Sequence, residues 1–364
     1  MKINAEYQYI DETGQAKHTF PDNITQKQLL EFYSSLVLVR TYDKKAVALQ
    51  RTGQLGTYAA CLGQEAISLG IGFAMTKQDI LVPYYRDQGA QYLRGATFTS
   101  QLRYWGGDER GNAFLEQQHT PNFCANEDFP NCVPIATQVT HAAGIASAFK
   151  IKNEKRAVVV TCGEGATSRG DFYEPLNLAG VWQLPLVVVV NNNQWAISTP
   201  STMQTHAQGI AEKSAAAGIE GIRVDGNDII AVHHVVQQAL AKAYQGKGGT
   251  LIEAMSYRLC DHTTADDATR YRSSDEVNAA WKRDPIKRLQ QYLFDQGLWS
   301  PEQEQALIKK HQAFIENEVA TYLATDEAPV ADLFDYLYEE LPYPLREQRD
   351  HLIHKANTLS TMRN

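Results

Sequence analysis

Apolar residues fall into two patterns along the chain, and each predicts a different kind of element. Runs without alternation, "AVVVTC" at 157–162 and "LPLVVVV" at 184–190, read as strands buried on both faces, the kind found in parallel sheets. Helical spacing marks "TQKQLLEFYSSLVLVRTYDKKAVALQRTG", which starts at Thr25 and closes at Gly53 as one long or two short helices. "GQEAISLGIGFAM", "VPIATQVTHAAGIASAFK" and the stretch from Ile229 to Tyr244 read as further helices, and "DILVP" and "TLIEAMSYRL" as strands. Strand and helix alternating in this way predict an α/β fold. Its sheet is parallel, with right-handed crossovers and helices on both faces.

Polar, mixed residues 1–24 read as an N-terminal arm, 25–284 as the α/β domain and 285–364 as a helical C-terminal extension. Within that extension Ser300-Pro301-Glu302-Gln303 has the form of an N-cap, a proline at the first helical position and a capping-box partner. The stretch 106–132 is turn-rich and aperiodic; a loop that long inside a domain is usually functional or disordered. Composition then excludes several classes. With 43% hydrophobic and 21% charged residues the chain is an ordinary globular protein, and a net charge of -8 argues against non-specific nucleic-acid binding. Five cysteines, with no Cys-x-x-Cys pair, suggest reduced thiols and neither a disulfide framework nor a thiolate zinc site. The amino terminus has neither an apolar core nor an Arg-rich, acid-poor character, and the longest relevant apolar run is far below the roughly 18 residues that span a bilayer. A cytoplasmic protein, with no membrane or nucleic-acid partner, is the expectation.

Chemistry concentrates where the two apolar runs end. Gly163-Glu164-Gly165 follows the first, at the carboxyl edge where open α/β sheets bind ligands. Alone, this reads equally as a tight turn with a solvated acid. Asn191, Asn192 and Asn193 close the second run, about one βαβ unit later. Adjacent parallel strands would bring Glu164 and an asparagine amide oxygen together, a donor set that suits Mg²⁺ completed by water and phosphate.

With their surroundings, "GATSRGDFYE", "NNQWAISTP", "GIRVDGND", "LIEAMSYR" and "DDATRYRSSDE", these motifs resemble the alpha subunit of the decarboxylating component of 2-oxo acid dehydrogenase complexes, from about Thr25 to Pro342. The Gly-acid-Gly segment followed by Asn-Asn is that family's thiamine diphosphate fingerprint. The resemblance implies Mg²⁺ on Glu164, Asn193 and the main-chain carbonyl of Trp195. Relatives often carry Asp at the first position; branched-chain members are similar to this chain in using Glu. It implies Tyr85 and Arg86 at the diphosphate and Ile135 beneath the thiazolium. Backbone groups of Gly163, Gly165 and Ala166 would face the diphosphate, and that of Ile197 the aminopyrimidine. His262 matches the active-site histidine, and Thr263 stands where animal relatives are phosphorylated on serine. The implied partners are a beta subunit, carrying the glutamate that activates the cofactor, in an α₂β₂ heterotetramer, a lipoyl domain of the acyltransferase component, and a small 2-oxo acid.

Two other readings compete. A nicotinamide dehydrogenase lacks its Gly-x-Gly-x-x-Gly turn here, since the loop reads Gly-Glu-Gly-Ala-Thr-Ser. A non-catalytic assembly partner would not need Arg86, Glu164, Asn193 and His262 intact. "NAFLEQQHTPNF" lacks the Met- and His-bearing pattern of relatives, so His119 is given no role. "GQLGTYAACLGQEA" is similar to bacterial pyruvate enzymes, whereas Glu164 and "IRVDGND" lean to branched-chain ones; pyruvate is the expected substrate.

Overall fold

The computed structural model describes residues 7–111, 127–326, 328–335 and 337–363. His119, Cys124 and most of the 106–132 loop lie outside the described residues. In chain order the elements are α1 (Gln26–Arg51), α2 (Glu65–Ala74), β1 (Ile80–Val82), α3 (Gln88–Leu93), α4 (Phe98–Trp105), α5 (Thr137–Lys152), β2 (Val158–Gly163), α6 (Gly170–Trp182) and β3 (Leu186–Asn192). A two-stranded ribbon, β4 (Trp195–Ala196) and β5 (Thr199–Pro200), follows. Then come α7 (Ser214–Ala217), β6 (Glu220–Asp225), α8 (Ile229–Tyr244), β7 (Thr250–Met255), α9 (Ser274–Trp281), α10 (Pro285–Asp295) and α11 (Pro301–Leu323). The described residues divide into one unit ending at Tyr322 and another beginning at Leu323, whose helices are Asp332–Asp335 and Tyr343–Arg363.

Five strands form a parallel sheet in the order β1-β2-β3-β7-β6. Because side chains alternate across a strand, the unbroken apolar runs feed two cores. Val158, Val160, Val188 and Val190 meet Phe149 of α5 and Phe172 and Leu176 of α6 on one face. Val159, Val187 and Val189 meet Ile67 and Ile71 of α2 and Val232 and Val235 of α8 on the other. The chain steps from β2 to β3 in one direction and from β6 back to β7 in the opposite one. Right-handed crossovers therefore put α6 and α8 on opposite faces.

Helix ends follow local chemistry. Thr25 caps α1, a single helix, by accepting from the Gln28 amide at 3.2 Å. Asp228 caps α8 through the Ile230 and Ala231 amides. Asp284 caps α10, with Pro285 at its first position. Residues 7–10 of the expected arm lie along edge strand β6: Tyr7 bridges Val224, and the amides of Tyr9 and Ile10 donate to Asp228. In the expected extension, Leu289, Leu293, Ile315 and Val319 share a core with α1. No helix among the described residues is long and apolar enough to cross a membrane.

Candidate active site

The register fixes where the acid and the amides emerge. Gly163 pairs with Asn191, so Glu164 and Asn193 leave neighbouring strands at the same edge of the sheet. Beyond β2 the chain enters a 3₁₀ turn, Glu164–Ser168, and α6 starts only at Gly170. Gly165 and Ala166 of this turn line a cavity of about 210 Å³. Tyr85, Arg86, Ile135, Gly163, Glu164, Gly165, Ala166, Asn193, Trp195, Ile197 and His262 all line that cavity, together with Tyr84, Cys132, Gln138 and Ala196. The structure thus brings every site residue expected from sequence to one place.

Two glycines matter for steric reasons. A Cβ on Gly163 would meet no protein atom within 4 Å, and this residue lines the cavity, so it leaves room for a ligand. A Cβ on Gly165 would stand 2.8 Å from the Ala196 Cβ, against the ribbon. Three non-glycine residues around the cavity are held in the left-handed region: Ala136 (φ 72°), Gln194 (φ 73°) and Ile197 (φ 53°). For a β-branched residue such as Ile197 this is costly and persists only where the surroundings impose it. Arg258 braces this segment, donating to the carbonyls of Ile197 at 2.8 Å and Trp195 at 3.0 Å.

The electrostatics of the wall are cationic on one side and anionic on the other. Arg86 is buried and donates to the Ala60 carbonyl, the His262 carbonyl and His262 Nδ1. Arg258, fully buried, reaches Trp195, Ile197, the Tyr271 hydroxyl and the same Nδ1. Among the described residues every hydrogen-bond acceptor these two guanidiniums reach is neutral; of the two, Arg86 lines the cavity, whereas Arg258 stands behind it as a brace. Opposite them Glu164 is 2% exposed, and its Oε1 has no hydrogen-bond partner. Burial pushes its carboxyl up, partly offset by the Gln204 side chain and the Asn193 backbone.

His262 is pushed down to about 4, by burial first and then by the Arg86 and Arg258 charges. Its ring is therefore neutral near pH 7. A guanidinium can only donate, so Nδ1, 3.1 Å from Arg86 Nη2, must be the bare nitrogen, and Nε2 carries the proton. The arrangement offers a hydrogen-bond donor at Nε2, beside the Tyr85 ring.

Residues 33–330 match the family described as dehydrogenase E1 component. The chain belongs to the dehydrogenase E1 component family. It is 41% identical over 343 residues, covering 94% of this chain and 91% of its relative, to a 3-methyl-2-oxobutanoate dehydrogenase subunit alpha of Mycobacterium tuberculosis. It is 39% identical over 346 residues, 94% of this chain and 90% of the relative, to a pyruvate dehydrogenase E1 component subunit alpha of Staphylococcus aureus. E1 components of this family are thiamine diphosphate-dependent, and the cavity's chemistry fits that cofactor: a buried guanidinium on its wall, Arg86, with only neutral hydrogen-bond acceptors among the described residues, and a glycine whose missing Cβ leaves room. An orphaned carboxylate oxygen on Glu164, a neighbouring amide oxygen on Asn193 and the Trp195 carbonyl form an oxygen-only set that suits a hard divalent cation. The Trp195 carbonyl already accepts from Arg258, which leaves its second lone pair.

Sequence reasoning missed two residues, Gln138 and Arg258, that stand close in the chain to expected ones. Gln138, three positions after Ile135, donates to the Thr161 carbonyl at 3.0 Å and leaves its buried Oε1 without a partner. Arg258 lay inside a quoted motif, but nothing about a lone arginine announces that it will brace two carbonyls and a histidine.

Proposed function

We propose that this chain is the alpha subunit of the decarboxylating component of a 2-oxo acid dehydrogenase, holding the diphosphate and Mg²⁺ of thiamine diphosphate. A beta subunit, in an α₂β₂ heterotetramer, completes the site. The observation that carries the proposal is the meeting, around one cavity, of a buried carboxylate with an unpartnered oxygen, Glu164, and a buried guanidinium, Arg86, whose hydrogen-bond acceptors among the described residues are all neutral. When bound, thiamine diphosphate supplies the electron sink for decarboxylation.

This chain's residues do the rest. Glu164, Asn193 Oδ1 and the Trp195 carbonyl would hold Mg²⁺, and Arg86 would offer its fork to the diphosphate. Gly163, Gly165 and Ala166 would offer backbone to the phosphates. Ile135 would supply an apolar wall, and the backbone of Ile197 would meet the pyrimidine end. His262, held neutral with Nε2 protonated in the ligand-free chain, would donate a hydrogen bond to the substrate or to oxygen charge that develops during reaction.

The substrate is a small 2-oxo acid, pyruvate in the first instance, and the acyl group passes to the lipoyl arm of an acyltransferase component in the cytoplasm. A branched-chain 2-oxo acid is the second reading, favoured by the 41% identity to the M. tuberculosis relative. The test is decarboxylation by this chain co-purified with its beta subunit, with Mg²⁺ and thiamine diphosphate, comparing kcat/KM for pyruvate and 3-methyl-2-oxobutanoate. A preference for pyruvate supports the first reading and one for the branched acid the second. Turnover of neither, or full turnover by this chain alone, would overturn the proposal.

A further inference from the structure

Gln64 stands at the turn before α2 and is 1% exposed. Its Oε1 accepts from the side-chain amides of both Asn191 and Asn193, each at 3.0 Å. The direction of these bonds follows from one fixed donor. The Trp195 backbone N–H can only donate, and it lies 3.2 Å from Asn193 Oδ1. Asn193 must therefore turn its oxygen toward Trp195 and its NH₂ toward Gln64, which in turn must present oxygen and not nitrogen. Asn191 locks the other end: its Nδ2 also reaches the Tyr84 hydroxyl, and its Oδ1 accepts from the Ser256 hydroxyl, both at 2.7 Å. Gln64 Nε2, by contrast, is buried and has no partner. The protein keeps this side chain for its oxygen and tolerates an orphaned donor, a cost usually carried only where something else is gained.

We propose that Gln64 is the positioning residue for the divalent cation: by taking the Asn193 NH₂ it holds Asn193 Oδ1 at the β3 edge as an oxygen ligand. The inference rests on the reading of Glu164, Asn193 and Trp195 as the metal site. Without an acceptor at position 64 the Asn193 amide must find another partner for its NH₂, and each rotation that does so removes Oδ1 from the cation. Partners that orient a metal ligand in this way are worth about 10- to 100-fold in metal affinity.

The test uses Mn²⁺ as the probe. It is titrated by electron paramagnetic resonance into the full chain with its complementary subunit and thiamine diphosphate. Gln64→Leu should weaken Mn²⁺ by about 10- to 100-fold, raise the Mg²⁺ concentration needed for half-maximal turnover, and leave kcat at saturating Mg²⁺ near wild type. Gln64→Glu, which keeps an acceptor facing both asparagines, should restore most of the affinity. Should Gln64→Leu fail to fold, Gln64→Met keeps the length, removes the oxygen and is read in the same way. A wild-type protein with no saturable Mn²⁺ site would sink the metal reading itself. A wild type that binds Mn²⁺, beside leucine and methionine variants that bind it as tightly, would sink the role of Gln64 alone.

Discussion

Replacing Glu164 by glutamine should change the stability of the empty and the loaded protein in opposite directions. Without ligand, Glu164 is a carboxylate 2% exposed with one oxygen unpartnered, and burial penalises its charge. A neutral amide of the same shape removes that penalty, so the empty variant should be more stable by about 1 kcal/mol. Loaded, the sign reverses. At a ligand concentration about 100 times Kd, the wild type gains roughly 2.7 kcal/mol; if loss of the charged ligand weakens binding about 100-fold, the variant gains only roughly 0.4 kcal/mol. The difference is about 2.3 kcal/mol. Over the 322 residues of the first unit, an unfolding entropy of about 2.1 cal/mol/K per residue makes this a Tm difference of about 3 °C. Differential scanning calorimetry with and without Mg²⁺ and thiamine diphosphate measures both quantities. A variant whose Tm rises on loading as much as the wild type's would refute the role assigned to Glu164.

Other outcomes follow from the same geometry. Arg86→Leu removes a buried guanidinium with only neutral acceptors, and should raise the Kd for thiamine diphosphate about 10- to 100-fold by titration calorimetry, as expected for losing a hydrogen bond to a charged group; an unchanged Kd would remove Arg86 from the diphosphate. His262 is held neutral in the fold down to about pH 4, whereas the unfolded chain binds that proton near 6.5. This histidine therefore costs nothing above about pH 6.5, destabilises the fold progressively as pH falls from there toward 4, and adds no further loss below. Histidine ¹⁵N spectra at pH 6 should show its neutral form protonated on Nε2, and a protonated ring at that pH would contradict the assignment. Gly180→Ala would drive a Cβ to 1.7 Å from the Ala217 carbonyl oxygen, so α6 cannot stay where it docks; thermal melting should show a loss of about 1–3 kcal/mol or more, and a wild-type Tm would mean the two segments separate freely.

The parts of the fold legible in the sequence are those whose physics is local. Valines on both faces of β2 and β3 announce a doubly covered parallel strand, and Ser300-Pro301 announces the start of α11, where the Ser300 hydroxyl accepts from the Gln303 amide. Glu164 and Asn193 could be paired because parallel strands in register convert a sequence interval into a distance. What stayed hidden was long-range. Gln64 looked like the first turn of a helix, yet its partners lie at Asn191 and Asn193. The neutral state of His262 could not be read either, because it depends first on burial and then on guanidinium charge, part of it from Arg86, distant in the chain. The tight turn that the glycines suggested is there, as a 3₁₀ segment between β2 and α6, but its acid, Glu164, is buried and not solvated.

The most direct test strips the co-purified alpha and beta chains of cofactor and metal, and follows reduction of an artificial electron acceptor with pyruvate and with 3-methyl-2-oxobutanoate as thiamine diphosphate and Mg²⁺ are added back singly and together. Turnover should return only when cofactor and metal are both present, and should be strongly diminished in Glu164→Gln at concentrations that just saturate the wild type. Turnover restored by neither, or undiminished in that variant, would contradict the assignment of this cavity as the cofactor and metal half of the active site.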